Sequence, residues 1–128
     1  MRLVETARRG LADAMRVARA GAQLNAIGTA VEDTVVRRGH AVCSDLAGHG
    51  IGRRIHEPPQ VPNYYVPDLS ELLTDGLVLT IEPIISAGSG AVRGTSDGWT
   101  VLTADGAVSA HVEHTVVITE GQPLVLTA

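Results

Sequence analysis

The sequence predicts an α+β fold in which two amphipathic helices lie on one face of a mainly antiparallel sheet. Three observations predict it. Apolar residues recur at helical spacing through roughly the first 39 positions, and short β-rich runs bounded by glycine, proline and aspartate fill the rest. The order, two helices followed by several strands, is that of a two-layer design. The core composition agrees: 45% of the 128 residues are hydrophobic, yet there is no Phe, one Trp and two Tyr. Valine, leucine, isoleucine and alanine must fill the interior, which suits β-branched strands under alanine-rich helices. The length is that of one domain, taken as residues 1–128.

The first helix is expected over about residues 2–20, where Val4, Ala7, Leu11, Met15 and Ala18 form one stripe. Arg8, Arg9, Arg16 and Arg19 lie mostly on the other faces, as a solvated surface requires, and Gly21 is read as the stop. The second helix carries Leu24, Ile27, Val31 and Val35 on its stripe and closes on Arg37-Arg38-Gly39. Residues 40–46 are a short strand or extended lead-in. An irregular, proline-punctuated loop is expected from the stretch at residues 48–59 to about residue 70. A strand over Leu77–Glu82 is ended by Pro83. A glycine-containing loop then leads to a strand over residues 99–103, Asp105-Gly106 marks a hairpin turn, one strand runs from Ala107 to about Thr119, and a last short one spans Gln122–Thr127.

Composition excludes several classes. A net charge of -4 leaves no basic nucleic-acid footprint. No apolar run approaches the roughly 20 residues of a membrane span, and no signal-peptide pattern opens the chain. The one cysteine, Cys43, cannot close an internal disulfide, which fits a reducing cytoplasm.

Chemistry is concentrated in a few polar residues. Gly48-His49-Gly50-Ile51-Gly52 alternates glycines that let backbones pass closely, and His49 and His56 bracket it before the rigid Pro58-Pro59 exit. Glu82 and Glu113 stand inside otherwise apolar strands, Glu113 between His111 and His114. A buried carboxylate needs a cation, either an arginine or a metal. Beyond Arg54 the chain has only Arg93, so two glutamates plus two loop histidines point to a divalent ion with mixed nitrogen and oxygen ligands. Strand alternation sets His111 on the face of Glu113, lining the site, and His114 on the other face. Cys43 reads as a small buried hydrophobe.

These residues carry a resemblance. Gly48-His-Gly-Ile-Gly-Arg-Arg-Ile-His-Glu-Pro-Pro-Gln-Val-Pro-Asn63, Leu79-Thr-Ile-Glu-Pro83, Asp97-Gly-Trp-Thr100 and Ser109-Ala-His-Val-Glu-His-Thr115 resemble, in order, the motifs of type I methionine aminopeptidases. The resemblance covers nearly the whole chain and corresponds to the C-terminal half of that family's pita-bread fold, with the two helices on a curved sheet. It implies His49, Glu82 and Glu113 as metal ligands, with Glu113 bridging two ions in the family. It implies His56 as a catalytic donor to the scissile carbonyl, and Trp99, with Ile55 and His111, at the methionine pocket. The reaction implied is attack of a metal-activated hydroxide on the bond after an N-terminal methionine, with Co, Mn, Fe or Zn as cofactor. Two aspartates that complete the family's dinuclear site have no counterpart, and Asp33, Asp45, Asp97 and Asp105 do not replace them, so at most one ion is expected from this chain alone. The alternative is a truncated, inactive half-domain that binds metal or a partner. A homo-oligomer or a complementing N-terminal half is the expected partner, beside a peptide with N-terminal methionine, with neither nucleic acid nor membrane.

Overall fold

The computed structural model describes residues 1–127. In chain order the elements are α1 (Arg2–Val17), α2 (Asn25–Arg37), β1 (Ala41–Val42), β2 (Ala47–Gly50), β3 (Glu57–Pro62), β4 (Val78–Ile81), β5 (Ile84–Ser86), β6 (Val92–Gly94), β7 (Val101–Thr103), β8 (Ser109–His111), β9 (His114–Val117) and β10 (Leu124–Val125). The α+β architecture is as expected, and every strand pair is antiparallel.

The helices pack on each other, α1 also on β4, β5 and β8, and α2 also on β1 and β3. The core between the layers holds Leu3, Ala7, Leu11, Ala14, Ile27, Val31 and Val35 from the helices and Leu79, Ile81, Ile85 and Val116 from the strands. On α1 the buried stripe runs through Leu3, Ala7, Gly10, Leu11 and Ala14, while Val4 and Met15 are half-buried. Small residues face α2 because two helices can approach closely only where side chains are short. The first helix stops at Val17, short of the expected 20, and Gly21 instead takes a positive φ of 89° in the turn between helices.

The sheet is built in two segments, β1-β5-β8 and β10-β9-β4-β2-β3, with β6-β7 as a separate hairpin. What joins the two larger segments is a bend. β4 and β5 are one run of chain interrupted at Glu82-Pro83, and β8 and β9 are one run interrupted at Val112-Glu113. The two interruptions face each other, since Ile81 pairs with His114 on one side and Ile84 with His111 on the other. Pro83 has no N–H to give the ladder, and across the gap only its carbonyl is used, accepting from the Val112 N–H at 3.2 Å. The expected single strand over Ala107–Thr119 is therefore two strands in two sheet segments.

Two further expectations are corrected. The glycine-histidine stretch is no irregular loop: β2 and β3 form a hairpin, with a register shift between His49 and Gly50. Prolines 58, 59 and 62 are accommodated because β3 is the outermost strand of its segment. Asp105-Gly106 does form a turn, with Gly106 at φ 72°, but it joins β7 to β8, which do not pair with each other, so it is no hairpin.

The glycines of β2 are there for close approach. A Cβ on Gly48 would strike the Thr80 carbonyl oxygen of the neighbouring strand, and one on Gly50 would strike the Pro58 carbonyl oxygen. Gly94, by contrast, has nothing within 4 Å of that position. Gly48→Ala should therefore lower stability by about 1–3 kcal/mol, as overpacking does, with Gly94→Ala close to neutral. Equal urea midpoints for the two variants would contradict this reading of the β2–β4 contact.

Candidate metal centre

The polar residues singled out in the sequence gather at the bend. Glu82 stands at the interruption between β4 and β5 and, at 7% exposed, is the one buried carboxylate among the described residues. Glu113 stands at the facing interruption, half-open to solvent. β2 lies against β4, which brings His49 to the same place.

The distances are short. His49 Nε2 lies 3.2 Å from Glu82 Oε1. His111 Nε2 lies 3.1 Å from Glu82 Oε2 and 3.3 Å from Glu113 Oε2. Ligating atoms of Glu82, His111 and Glu113 all fall within 4.8 Å of one another. Among the described residues, these carboxylates have only imidazoles as ion-pair partners, with no arginine or lysine in contact.

The surroundings hold Glu82 in its charged form. Burial pushes its carboxyl up, but hydrogen bonds from His111 and Thr80, and the nearby His111 and His49 rings, outweigh that and leave it below the ordinary value. The hydrogen bond to Glu82 raises His111 in turn; burial opposes this, and the charges of Glu82 and Glu113 add to it.

Thr80 and Asn63 build the support. The Thr80 hydroxyl accepts from the His49 N–H at 3.0 Å and donates to Glu82 Oε1 at 2.9 Å, so one buried side chain ties the histidine's backbone to the carboxylate. A buried donor or acceptor left without such a partner costs about 1–3 kcal/mol. Fully buried Asn63 donates from Nδ2 to the Glu82 carbonyl at 3.0 Å. Sequence reasoning assigned neither residue a part. The available signals were a threonine one position from the centre of an apolar strand and an asparagine closing the proline-rich run.

Does this set suit a metal ion? His49 answers. Its Nδ1 lies 2.9 Å from the Gly50 carbonyl oxygen, which can only accept, so Nδ1 carries a proton. In the neutral ring Nε2 is then a lone pair, facing a carboxylate oxygen at 3.2 Å. Two lone pairs meet there unless a proton or a cation lies between. A backbone carbonyl fixing the far nitrogen is also how metal-ligating histidines are oriented. The donor set fits a divalent ion.

The His56 ring centroid is 4.3 Å from that of His49, and both line a cavity of about 510 Å³ with Asp45, Leu46, Glu57 and Gln60. His111, expected only to line the site, sits between the two glutamates. Ile55 and Trp99 are 70% and 89% exposed and are not drawn into the cluster. Trp99 belongs to the turn closing the β6-β7 hairpin, where Asp97 accepts from the hydroxyls of Thr100 and Thr95 and from the N–H groups of Thr100 and Trp99. Those bonds, Thr100's first, hold the Asp97 carboxyl well below the usual carboxylate range. His114 is half-buried and meets the Thr127 hydroxyl at 3.1 Å; with Glu113 and Met15 it lines a groove against α1, so it is less enclosed than a core histidine. Cys43 is buried as expected, and burial, with the Asp105 charge, pushes its thiol up. A second cavity of about 290 Å³, lined by Cys43, Leu46, Ile84, Val101 and Leu102, opens beside His111.

Comparison with known proteins gives a consistent set. Residues 1–120 match the model of metallopeptidase family M24. A methionine aminopeptidase of Clostridium perfringens is 46% identical over 105 residues, covering 82% of this chain and 42% of that one. The crystal structure of a methionine aminopeptidase from Thermotoga maritima superposes with a TM-score of 0.92 at 41% identity, covering 98% of this chain and 50% of that one. One from Rickettsia prowazekii gives 0.94 at 34% identity, covering 99% and 52%. The chain spans about half the length of the curated relatives it matches.

Proposed function

The chain belongs to metallopeptidase family M24 and has its pita-bread architecture, and on that premise we propose that it removes N-terminal methionine from peptides and nascent proteins in the cytoplasm. The observation that supports the reading is the convergence of Glu82, His111 and Glu113 at the bend, with His49 against the other oxygen of Glu82 and no arginine or lysine neutralising the carboxylates among the described residues.

His49, Glu82 and Glu113 would hold a divalent ion, of which Co, Mn, Fe and Zn all accept such donors. When bound, the ion supplies Lewis acidity and a water made acidic enough to attack near neutral pH. The protein's own residues do the rest. Thr80 and the Gly50 carbonyl fix the orientation of Glu82 and His49. His56, beside the His49 ring and at the wall of the larger cavity, donates a hydrogen bond to the oxygen of the scissile carbonyl as charge develops there. The apolar cavity beside His111 suits an unbranched apolar side chain, and Ile55 and Trp99, which the family resemblance puts at the methionine pocket, would bound that side chain.

The same proposal includes a partner. Trp99, Val101, Leu102 and Val108 are all more than 40% exposed, more apolar surface on one stretch of chain than a solvated hairpin ordinarily shows. A second copy or a complementing half-domain covers it. Sedimentation as a monomer at high protein concentration would count against this part.

Hydrolysis of a Met-Ala-Ser peptide with Co²⁺, Mn²⁺ or Fe²⁺ added is the expected activity. His56→Ala should lower turnover about 10²–10³-fold, as loss of one oxyanion donor does, and Glu113→Ala should abolish it. Absence of turnover, with no metal retained after gel filtration, would favour the inactive half-domain.

A further inference from the structure

The geometry points to His111 as a direct ligand of the ion held at the bend, making the site a two-histidine, two-glutamate centre drawn from this chain's own strands. The inference rests on the metal reading above and deepens it, since neither the motif pattern nor the chain's family membership gave His111 more than a place beside the substrate.

Three observations carry it. The first is position. Ile84 pairs with His111 across the bend, so His111 is the last residue of β8 before the interruption that holds Glu113, directly opposite the one that holds Glu82. Its ring nitrogen is therefore presented to both carboxylates by the same backbone feature that presents them to each other.

The second is spacing. With metal–ligand bonds of about 2.1 Å, neighbouring donors sit about 3.0 Å apart in an octahedral site and about 3.4 Å apart in a tetrahedral one. The three donor separations in the cluster are 3.1, 3.2 and 3.3 Å. All lie inside that interval.

The third is valence. Hydrogen bonds alone also span such distances, but one Nε2 carries one proton, and it faces oxygens of two different carboxylates at nearly equal range. A proton satisfies one of them; an ion between the three satisfies all. His49 Nε2 meets the other oxygen of Glu82 at 3.2 Å, and its Nδ1 lies 2.9 Å from the Gly50 carbonyl oxygen. Glu82 thus has one imidazole at each oxygen. His111 is 45% exposed by side chain, which leaves a side of the ion open to water and substrate, as a catalytic rather than a closed structural site needs.

The competing role for His111 is a positioning one, in which it hydrogen-bonds Glu82 and never meets the ion. Affinity alone does not separate the two, because losing such an outer contact also weakens binding by about 10–100-fold. Counting imidazoles does. The full chain is loaded with one equivalent of Cu²⁺ and examined by pulsed EPR, with Zn²⁺ titrated calorimetrically in parallel. The wild type should show two coupled imidazoles, with one in H111Q and one in H49Q. H111Q, which keeps a hydrogen-bond donor toward Glu82 but replaces the imidazole, should bind Zn²⁺ at least 10-fold more weakly, as H111A does. Two imidazoles still seen in H111Q, or wild-type Zn²⁺ affinity restored by glutamine but not by alanine, would overturn the proposal and leave the metal reading standing. No binding of either ion by the wild type would overturn both.

Discussion

The structure depends on how one buried carboxylate is kept charged. Glu82 is almost without contact to solvent, and an ionised group so placed is costly unless its partners are close and well aimed. Here they come from four different parts of the chain: His49 from β2, Thr80 from β4 itself, His111 from β8, and Asn63 on the backbone carbonyl from the end of the β2-β3 hairpin. Each of those segments has a packing role of its own, and each is aligned on Glu82. The carboxylate is the point at which the two sheet segments, the hairpin and the site meet.

That meeting is made possible by two backbone features. Pro83 interrupts a long antiparallel ribbon, and the facing strand is interrupted opposite it at Val112-Glu113. The register is the same on both sides of the breaks, so Glu82 lies directly opposite Glu113, and His111, two residues from Glu113, shares its face. Gly48 then lets β2 lie close enough to β4 for His49 to reach the same carboxylate, while Gly50 lets β3 close against the other side of β2. Chemistry and fold are thus the same constraint seen from two sides, and Thr80, which bonds both His49 and Glu82, is where they touch.

Much of this was legible in the sequence. Carboxylates inside apolar strands announced Glu82 and Glu113, alternate glycines announced a close backbone approach, and helical periodicity located both helices. What escaped did so for physical reasons. The break at Val112-Glu113 is invisible because it carries no proline or glycine of its own, and Pro83, opposite it in the sheet, is about thirty positions away in the chain. β3 read as loop because prolines forbid a central strand, and only topology reveals that β3 is an edge. His111 was placed on the correct face by alternation, yet no pattern states a distance, so its approach to both glutamates appeared only in three dimensions. Thr80 and Asn63 were passed over because small polar residues in strands and turns are common and their partners lie far away in the chain.

We propose the bend between the two sheet segments as a metal centre. Anomalous diffraction from crystals soaked in Co²⁺, collected on both sides of the cobalt absorption edge, tests it without reference to any substrate. One strong peak is expected among His49 Nε2 and the carboxylates of Glu82 and Glu113, at about 2.0–2.2 Å from its ligands. A map with no peak in that cluster, or with cobalt bound only elsewhere on the chain, would contradict it.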